Sequence, residues 1–75
     1  MPPIEKIIEK MKVAPNTIRP EELEKVLLGY GYKFARQKGS HRHYINQDGD
    51  VITIPQKNPI KRDYVKEALE RIGIK

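Results

Sequence analysis

The chain has 75 residues and no cysteine, and its 15 lysines and arginines outnumber its 10 acids to give a formal charge of +5. A domain of this size buries only about 60% of the surface of its unfolded chain, which excludes a deep pocket around a large cofactor, and the lack of cysteine excludes disulfides and thiolate metal sites. No apolar run approaches the roughly 20 residues that span a bilayer, and residues 1–6 lack the pattern of a signal peptide. We therefore expect one cytoplasmic domain over residues 1–75, without a cofactor, whose positive charge favours polyanions such as nucleic acid.

Two amphipathic helices are predicted in the first 30 residues. Apolar residues recur at the helical period of 3.6 in both segments. They are Ile4, Ile7, Ile8 and Met11 in the first, and Leu23, Val26, Leu27 and Tyr30 in the second. Pro15 ends the first helix and Pro20 suits the first position of the second, while Gly29 and Gly31 bracket its end as candidate caps. The first helix is expected to pack on the domain; the other reading is an extra surface for a protein partner.

From residue 32 the pattern changes to that of an antiparallel sheet. Strands are predicted over residues 32–37, 41–46 and 51–55, followed by a basic loop and a helix over 62–72. Asp48-Gly49 is a strong hairpin signal, and a two-residue turn there would set Ile45 opposite Ile52. Ile45, Ile52 and Ile54 are the expected core residues of this hairpin. His43 would then face Ile54 and lean toward the core. The prediction is an α+β fold with the element order α-α-β-β-β-α.

The residues that carry chemistry cluster at the start of the second predicted strand, where both histidines of the chain lie. The parity of the hairpin places His41 on the same face as His43, beside a flexible turn. A histidine titrates near neutral pH and can act as a general acid or base. RNA suits such a site because its 2′-hydroxyl supplies the nucleophile, and positive groups can stabilise the charge that develops on the phosphate. The candidate catalytic residue is His41, and the candidate phosphate contacts are Arg36, Lys38, Gly39, Ser40, Arg42 and Lys57.

Other readings of the same residues stay open. His41 can equally be a solvated strand residue, and a basic domain can bind RNA without cleaving it or can meet an acidic protein partner. The sequence neighbourhood of His41 and His43 offers no third ligand for zinc, and Asp48 and Asp50 fit a hairpin turn, so no metal site is predicted. The aromatic residues can stack on bases or pack in the core. They include Tyr32, Phe34 and Tyr44.

Residues 31–44, Gly-Tyr-Lys-Phe-Ala-Arg-Gln-Lys-Gly-Ser-His-Arg-His-Tyr, resemble the signature of the HicA toxins of HicA–HicB toxin–antitoxin systems. The resemblance continues through Asp48-Gly49, through Val-Ile-Thr-Ile-Pro at 51–55 and through Tyr-Val-Lys-Glu-Ala-Leu at 64–69, and covers roughly residues 18–73. The helical residues 1–17 look like the extension that one branch of the family carries.

This resemblance implies a fold similar to the double-stranded-RNA-binding domain (dsRBD), with the helices on one face of a three-stranded antiparallel sheet. It implies an mRNA-cleaving toxin silenced by a HicB antitoxin, with His41 as the catalytic histidine. Many members carry a second histidine after the third strand, where this chain has Lys57, so either Lys57 or His43 is left to assist His41. RNA preference, product chemistry, the role of the first helix and the oligomeric state alone, monomer or weak dimer, stay open.

Overall fold

The computed structural model describes residues 3–73. Its elements, in chain order, are α1 (Ile4–Val13), a short 3-10 helix (Pro15–Thr17), α2 (Pro20–Gly29), β1 (Lys33–Lys38), β2 (His41–Ile45), β3 (Val51–Pro55) and α3 (Arg62–Arg71). The strands form one antiparallel sheet in the order β1-β2-β3. The predicted α+β class and the order of its elements are confirmed, while the closer likeness to a dsRBD stays a prediction. Within residues 3–73, none of the helices has the length and apolar character needed to cross a membrane.

The helices lie on one face of the sheet and enclose a single core. Both α2 and α3 pack against β3, and α1 packs across α2 and α3. Every element except β1 and the short 3-10 helix contributes apolar residues to this core. Those that are at most 1% exposed include Ile7, Met11, Leu23, Val26, Leu27, Tyr44, Ile54 and Val65. The apolar stripe predicted for α1 is therefore part of the core.

A buried carboxylate joins α1 to the start of α2. Glu22 is 7% exposed, and its side chain accepts a hydrogen bond from the backbone N–H of Arg19 at 3.0 Å. The Lys10 amino group of α1 lies 3.2 Å from the same carboxylate. This ion pair balances the buried charge and places an acid in the first turn of α2, where the helix dipole favours it.

The hairpin between β2 and β3 has a three-residue loop, not the predicted two-residue turn. The backbone N–H of Asn46 donates to the Asp50 carbonyl at 3.1 Å, and that of Gly49 donates to the Asn46 carbonyl at 3.1 Å. Gly49 has φ +82, as expected of the glycine that follows a type I turn in such loops. The Asn46 side chain holds the loop by accepting hydrogen bonds from the backbone N–H groups of Asp48 and Asp50 at 3.0 and 2.8 Å.

The extra loop residue shifts the register by one position. Ile52 and Ile54 of β3 are buried as predicted, so the shift exchanges only the predicted faces of β2. Tyr44 pairs with Ile52, and His43 pairs with Thr53. Tyr44 is therefore buried at 0% exposure and Ile45 is 37% exposed. The prediction that Ile45 belongs to the core and that His43 leans inward was wrong.

Candidate active site at the start of strand β2

His41 is the first residue of β2 and follows the two-residue turn Gly39-Ser40. Gly39 has φ +59, a conformation that glycine adopts without steric cost and that a two-residue hairpin turn demands at its first position. The Ser40 carbonyl accepts a hydrogen bond from the backbone N–H of Gln56 at 2.6 Å. This bond holds the turn against the segment that follows β3, so the position of His41 relative to that segment is fixed.

His41 lies between two depressions of the surface. The first is a cleft of about 200 Å³ between the end of the sheet and the start of α3, which we call the His41 cleft. Its lining residues are Ser40, His41, Pro55, Lys57, Lys61 and Tyr64. The second is a wider depression of about 520 Å³ on the sheet face opposite the helices, lined by Lys38, Gly39, Ser40, His41, His43 and Thr53.

The polar side chains of the His41 cleft have no partner among the residues that the structure describes. Within residues 3–73, the side chains of His41, Lys57, Lys61 and Tyr64 make no hydrogen bond and no ion pair. No carboxylate lines the cleft. Two ammonium groups beside an imidazole without a counter-charge make an environment that favours an anion.

The neighbouring strand adds two more cations to the side of the sheet on which His41 lies. Lys38 pairs with His41 across the ladder, and Arg36 pairs with His43, so their side chains share the face opposite the helices. The ladder skips one residue between Phe34 and Arg36, and this bulge at Ala35 turns Arg36 and Lys38 to that face. The structure therefore brings Arg36, Lys38, Gly39, Ser40 and Lys57 to the vicinity of His41.

Arg42 lies on the other face. Its guanidinium is 3.2 Å from a Glu24 carboxylate oxygen and stands 5.5 Å from the centre of the Phe34 ring, on the side that faces the helices. The Tyr44 hydroxyl donates to the same carboxylate, and burial, followed by this hydrogen bond, raises the pKa of Tyr44 to about 12. Arg42 is thus engaged in a fold-stabilising network and is not part of the His41 cleft.

His43 occupies the open face next to His41 and is tied to β3. Its Nδ1 lies 3.0 Å from the Thr53 hydroxyl, and its side chain is half-buried. His43 and His41 line the same wide depression. Within the described residues, no three histidine or carboxylate side chains come together as a candidate metal site.

Sequence reasoning missed two residues of the cleft, Lys61 and Tyr64. Lys61 was counted only as part of a basic loop, and Tyr64 only as part of the apolar stripe of the last helix. Tyr64 does pack against the core, but it lies in the first turn of α3, where a side chain can also reach the space in front of the helix. The signal available in the sequence was a tyrosine, with its polar end, three residues after a lysine at a helix start.

A comparison with models of protein families identifies the family of this chain. The family model described as "HicA toxin of bacterial toxin-antitoxin" matches residues 20–74, a span that includes every strand and both helices that pack on the sheet. No curated protein and no solved structure matches the chain. The chain belongs to the HicA family, the toxin half of bacterial toxin–antitoxin systems, whose partner is an antitoxin.

Proposed function

We propose that the protein is an RNA endonuclease that cleaves messenger RNA at the His41 cleft. The observation that carries this proposal is that an imidazole and two ammonium groups line one cleft without a partner or counter-charge among residues 3–73. A site with free donors and no acid suits a phosphodiester, the recurring anion of RNA. Family membership supports the toxic role, and RNA cleavage accounts for it.

His41 acts on the nucleophile that RNA itself provides. Its neutral imidazole accepts the proton of a 2′-hydroxyl, the 2′-oxygen attacks the adjacent phosphorus, and the bond from phosphorus to the 5′-oxygen breaks. The leaving oxygen takes a proton from water, and His41 later returns its own proton to solvent. The products are a 2′,3′-cyclic phosphate and a 5′-hydroxyl. A general base in this role is worth roughly 10²–10⁴ in rate.

The remaining predicted residues hold the phosphate and spread its charge. Lys57 reaches from the segment after β3 into the cleft that His41 lines, and Lys38 lines the depression on the other side of His41. Backbone N–H groups of the Gly39-Ser40 turn provide short donors for phosphate oxygens. Arg36, further along β1, contacts a neighbouring phosphate of the same strand.

We further propose that a HicB-like antitoxin silences the protein by covering the exposed site. The face of the sheet that carries His41 has no helix over it within residues 3–73, because all three helices pack on the opposite side. A partner that covers this face closes both depressions at once and excludes RNA. The cationic groups there favour an acidic partner surface.

The competing candidate is a domain that binds RNA at the same cleft without cleaving it. The two functions separate on the fate of RNA and on the variant His41→Ala. Wild type and variant are expressed under an inducible promoter, and growth and RNA integrity are followed; in parallel, purified proteins are incubated with a labelled single-stranded RNA and the ends of the products are mapped.

Cleavage is expected to fall by roughly 10²–10⁴-fold in His41→Ala, with RNA affinity within a few-fold and an unchanged melting temperature. If folded wild type binds RNA but leaves it intact and does not arrest growth, the binding-only function replaces the nuclease. If His41→Ala cleaves as well as wild type, His41 is not the base.

A further inference from the structure

The α3 side of the His41 cleft carries two groups to which the proposed mechanism gives no task. Lys61 directly precedes α3, and Tyr64 is the third residue of the helix. Both line the cleft together with His41 and Lys57. Lys61 and Tyr64 form the α3 wall of the cleft, and His41 belongs to the strand wall. A group bound beside His41 therefore lies between the two walls.

The Tyr64 hydroxyl differs in its hydrogen bonding from the hydroxyls of two other tyrosines that pack in the core. Tyr32 and Tyr44 also pack in the core, and their hydroxyls donate to Asp50 and Glu24 respectively. The Tyr64 ring packs against the same core, but its hydroxyl has no hydrogen-bond partner among residues 3–73. Since the described residues contain no buried polar side-chain atom without a partner, this hydroxyl is accessible, and Tyr64 lines the His41 cleft, where a bound ligand can accept its hydrogen bond.

The chemistry of the cleft restricts what that partner is. Histidine, two lysines and a tyrosine offer donors, and no carboxylate lines the cleft to compete for them. Asp63 and Glu67 line a neighbouring depression, which Lys61 and Tyr64 also line, and neither acid lines the His41 cleft. A ligand that satisfies this set presents several acceptor oxygens and negative charge, which describes a phosphate group.

We propose that Lys61 and Tyr64 form the second wall of the phosphate site, with the Tyr64 hydroxyl donating a hydrogen bond to a non-bridging oxygen of the scissile phosphate and Lys61 neutralising its charge. This inference rests on the proposed nuclease function and extends it by two substrate-contacting residues. The hydrogen bond strengthens as negative charge accumulates on the phosphorane, so Tyr64 acts mainly on kcat. Lys61 interacts with the charge already present in the bound RNA and acts mainly on KM.

The test compares two variants with matched controls in the full chain. Tyr64→Phe keeps the ring and its packing and removes only the hydroxyl; its control is Tyr30→Phe, at a tyrosine that is 43% exposed and outside the cleft. Lys61→Gln removes one charge. Its control is Lys66→Gln, at an exposed position of α3 outside the cleft. Melting temperatures verify that all four variants fold.

Two measurements are made on each variant. The first is cleavage of a labelled single-stranded RNA. The second is binding of the same sequence with 2′-O-methyl groups throughout, which lacks the nucleophile and is not cleaved. Tyr64→Phe is expected to lower kcat roughly 10- to 100-fold, the range for a hydrogen bond to a charged group, with little change in KM. Lys61→Gln is expected to weaken binding and to reduce the slope of log affinity against log salt by about 0.7.

The outcomes separate this inference from the proposed function. If wild type cleaves RNA and both wall variants match their controls, the second wall is wrong and the nuclease stands. If wild type does not cleave, the proposed nuclease fails; binding of the 2′-O-methyl RNA then decides whether the wall exists, since equal affinity in wild type, Tyr64→Phe and Lys61→Gln would overturn it.

Discussion

Two neighbouring residues of β2 show how differently the two faces of this sheet use polar groups. On the face that meets the helices, Arg42 is paired with Glu24 at 3.2 Å and stacked on Phe34, and the Tyr44 hydroxyl also donates to Glu24. On the open face, the imidazole of His41 has no partner within the described residues. One step along the chain separates a side chain engaged in the fold from one that is free for a ligand.

This difference identifies the functional face better than the charge of the chain does. The positive residues between 33 and 42 look equivalent in the sequence, since no acid lies among them. In the structure, a carboxylate from α2 neutralises one of them, and Lys38 and Arg36 keep their charge for solvent or a ligand. Substitutions on the covered face should therefore change stability, and those on the open face should change RNA binding or cleavage.

The largest effect on the covered face is expected from Tyr44→Ala. Tyr44 is fully buried, and truncation of a buried aromatic side chain costs about 3–5 kcal/mol. A domain of this size has little stability to spare, so we expect a large fraction of unfolded protein. Urea unfolding followed by circular dichroism measures the loss. A decrease below about 1 kcal/mol would show that the covered face is not the core of the sheet.

A second prediction uses the proton of Tyr44. Its pKa is raised to about 12 in the folded protein, chiefly by burial and then by the hydrogen bond to Glu24. The folded state thus holds this proton more tightly than the unfolded chain, whose tyrosine titrates near 10. The stabilisation is complete below pH 10 and is lost as the pH rises from 10 to about 12, by up to about 3 kcal/mol.

The variant Tyr44→Phe isolates this contribution. The pKa of Tyr32 is also raised to about 12, by burial and by its hydrogen bond to Asp50. Unfolding free energies measured from pH 9 to 11 in wild type and in Tyr44→Phe share that contribution, and their difference reports Tyr44. Parallel curves for the two proteins would mean that Tyr44 titrates as an exposed tyrosine does.

The fold was largely predictable from the sequence because helix periodicity and strand alternation are local signals. The faces of the β2–β3 hairpin were not, because they depend on loop length. Asp48-Gly49 suggests a two-residue turn, yet the side chain of Asn46 closes a three-residue loop, and one extra residue exchanges the two faces of β2 relative to β3. An asparagine two positions before Asp-Gly was the signal for the longer loop.

The site was predictable only in part, for a related reason. His41, Lys38 and the Gly39-Ser40 turn are adjacent in the sequence, and the family resemblance marks them. Lys61 and Tyr64 reach the cleft from a helix that begins some 20 residues later, and no local pattern connects them with His41. Similarly, nothing near Arg42 in the sequence shows that it has a partner, so Arg42 is predicted to be a phosphate contact. Its partner, Glu24, lies 18 residues earlier in the chain.

Smaller effects are expected when the same substitution, arginine to glutamine, is made on each face of the sheet. Arg42→Gln removes a half-exposed ion pair and a cation–π contact, so we expect a small loss of stability, with RNA binding unchanged. Arg36→Gln is expected to leave stability within about 0.5 kcal/mol and to weaken RNA binding, with a salt slope reduced by about 0.7. Unfolding curves and salt titrations of RNA affinity on both variants test the pair. The reversed result would assign the RNA surface to the helix-facing side.

A smaller effect on cleavage than that of His41→Ala is expected at His43, the residue that shares the open face with His41 but has a partner. Its Nδ1 is 3.0 Å from the Thr53 hydroxyl. We therefore expect His43 to stabilise the sheet, although it lies on the same face as His41. His43→Ala should cost about 1 kcal/mol of stability and lower cleavage less than tenfold. Thr53→Val, which keeps both histidines and removes only the partner hydroxyl, serves as the control and should reproduce the stability loss. A fall in cleavage as large as that of His41→Ala, with Thr53→Val unaffected, would instead make the two histidines an acid–base pair, and the rule that partnered side chains serve the fold would fail on this face.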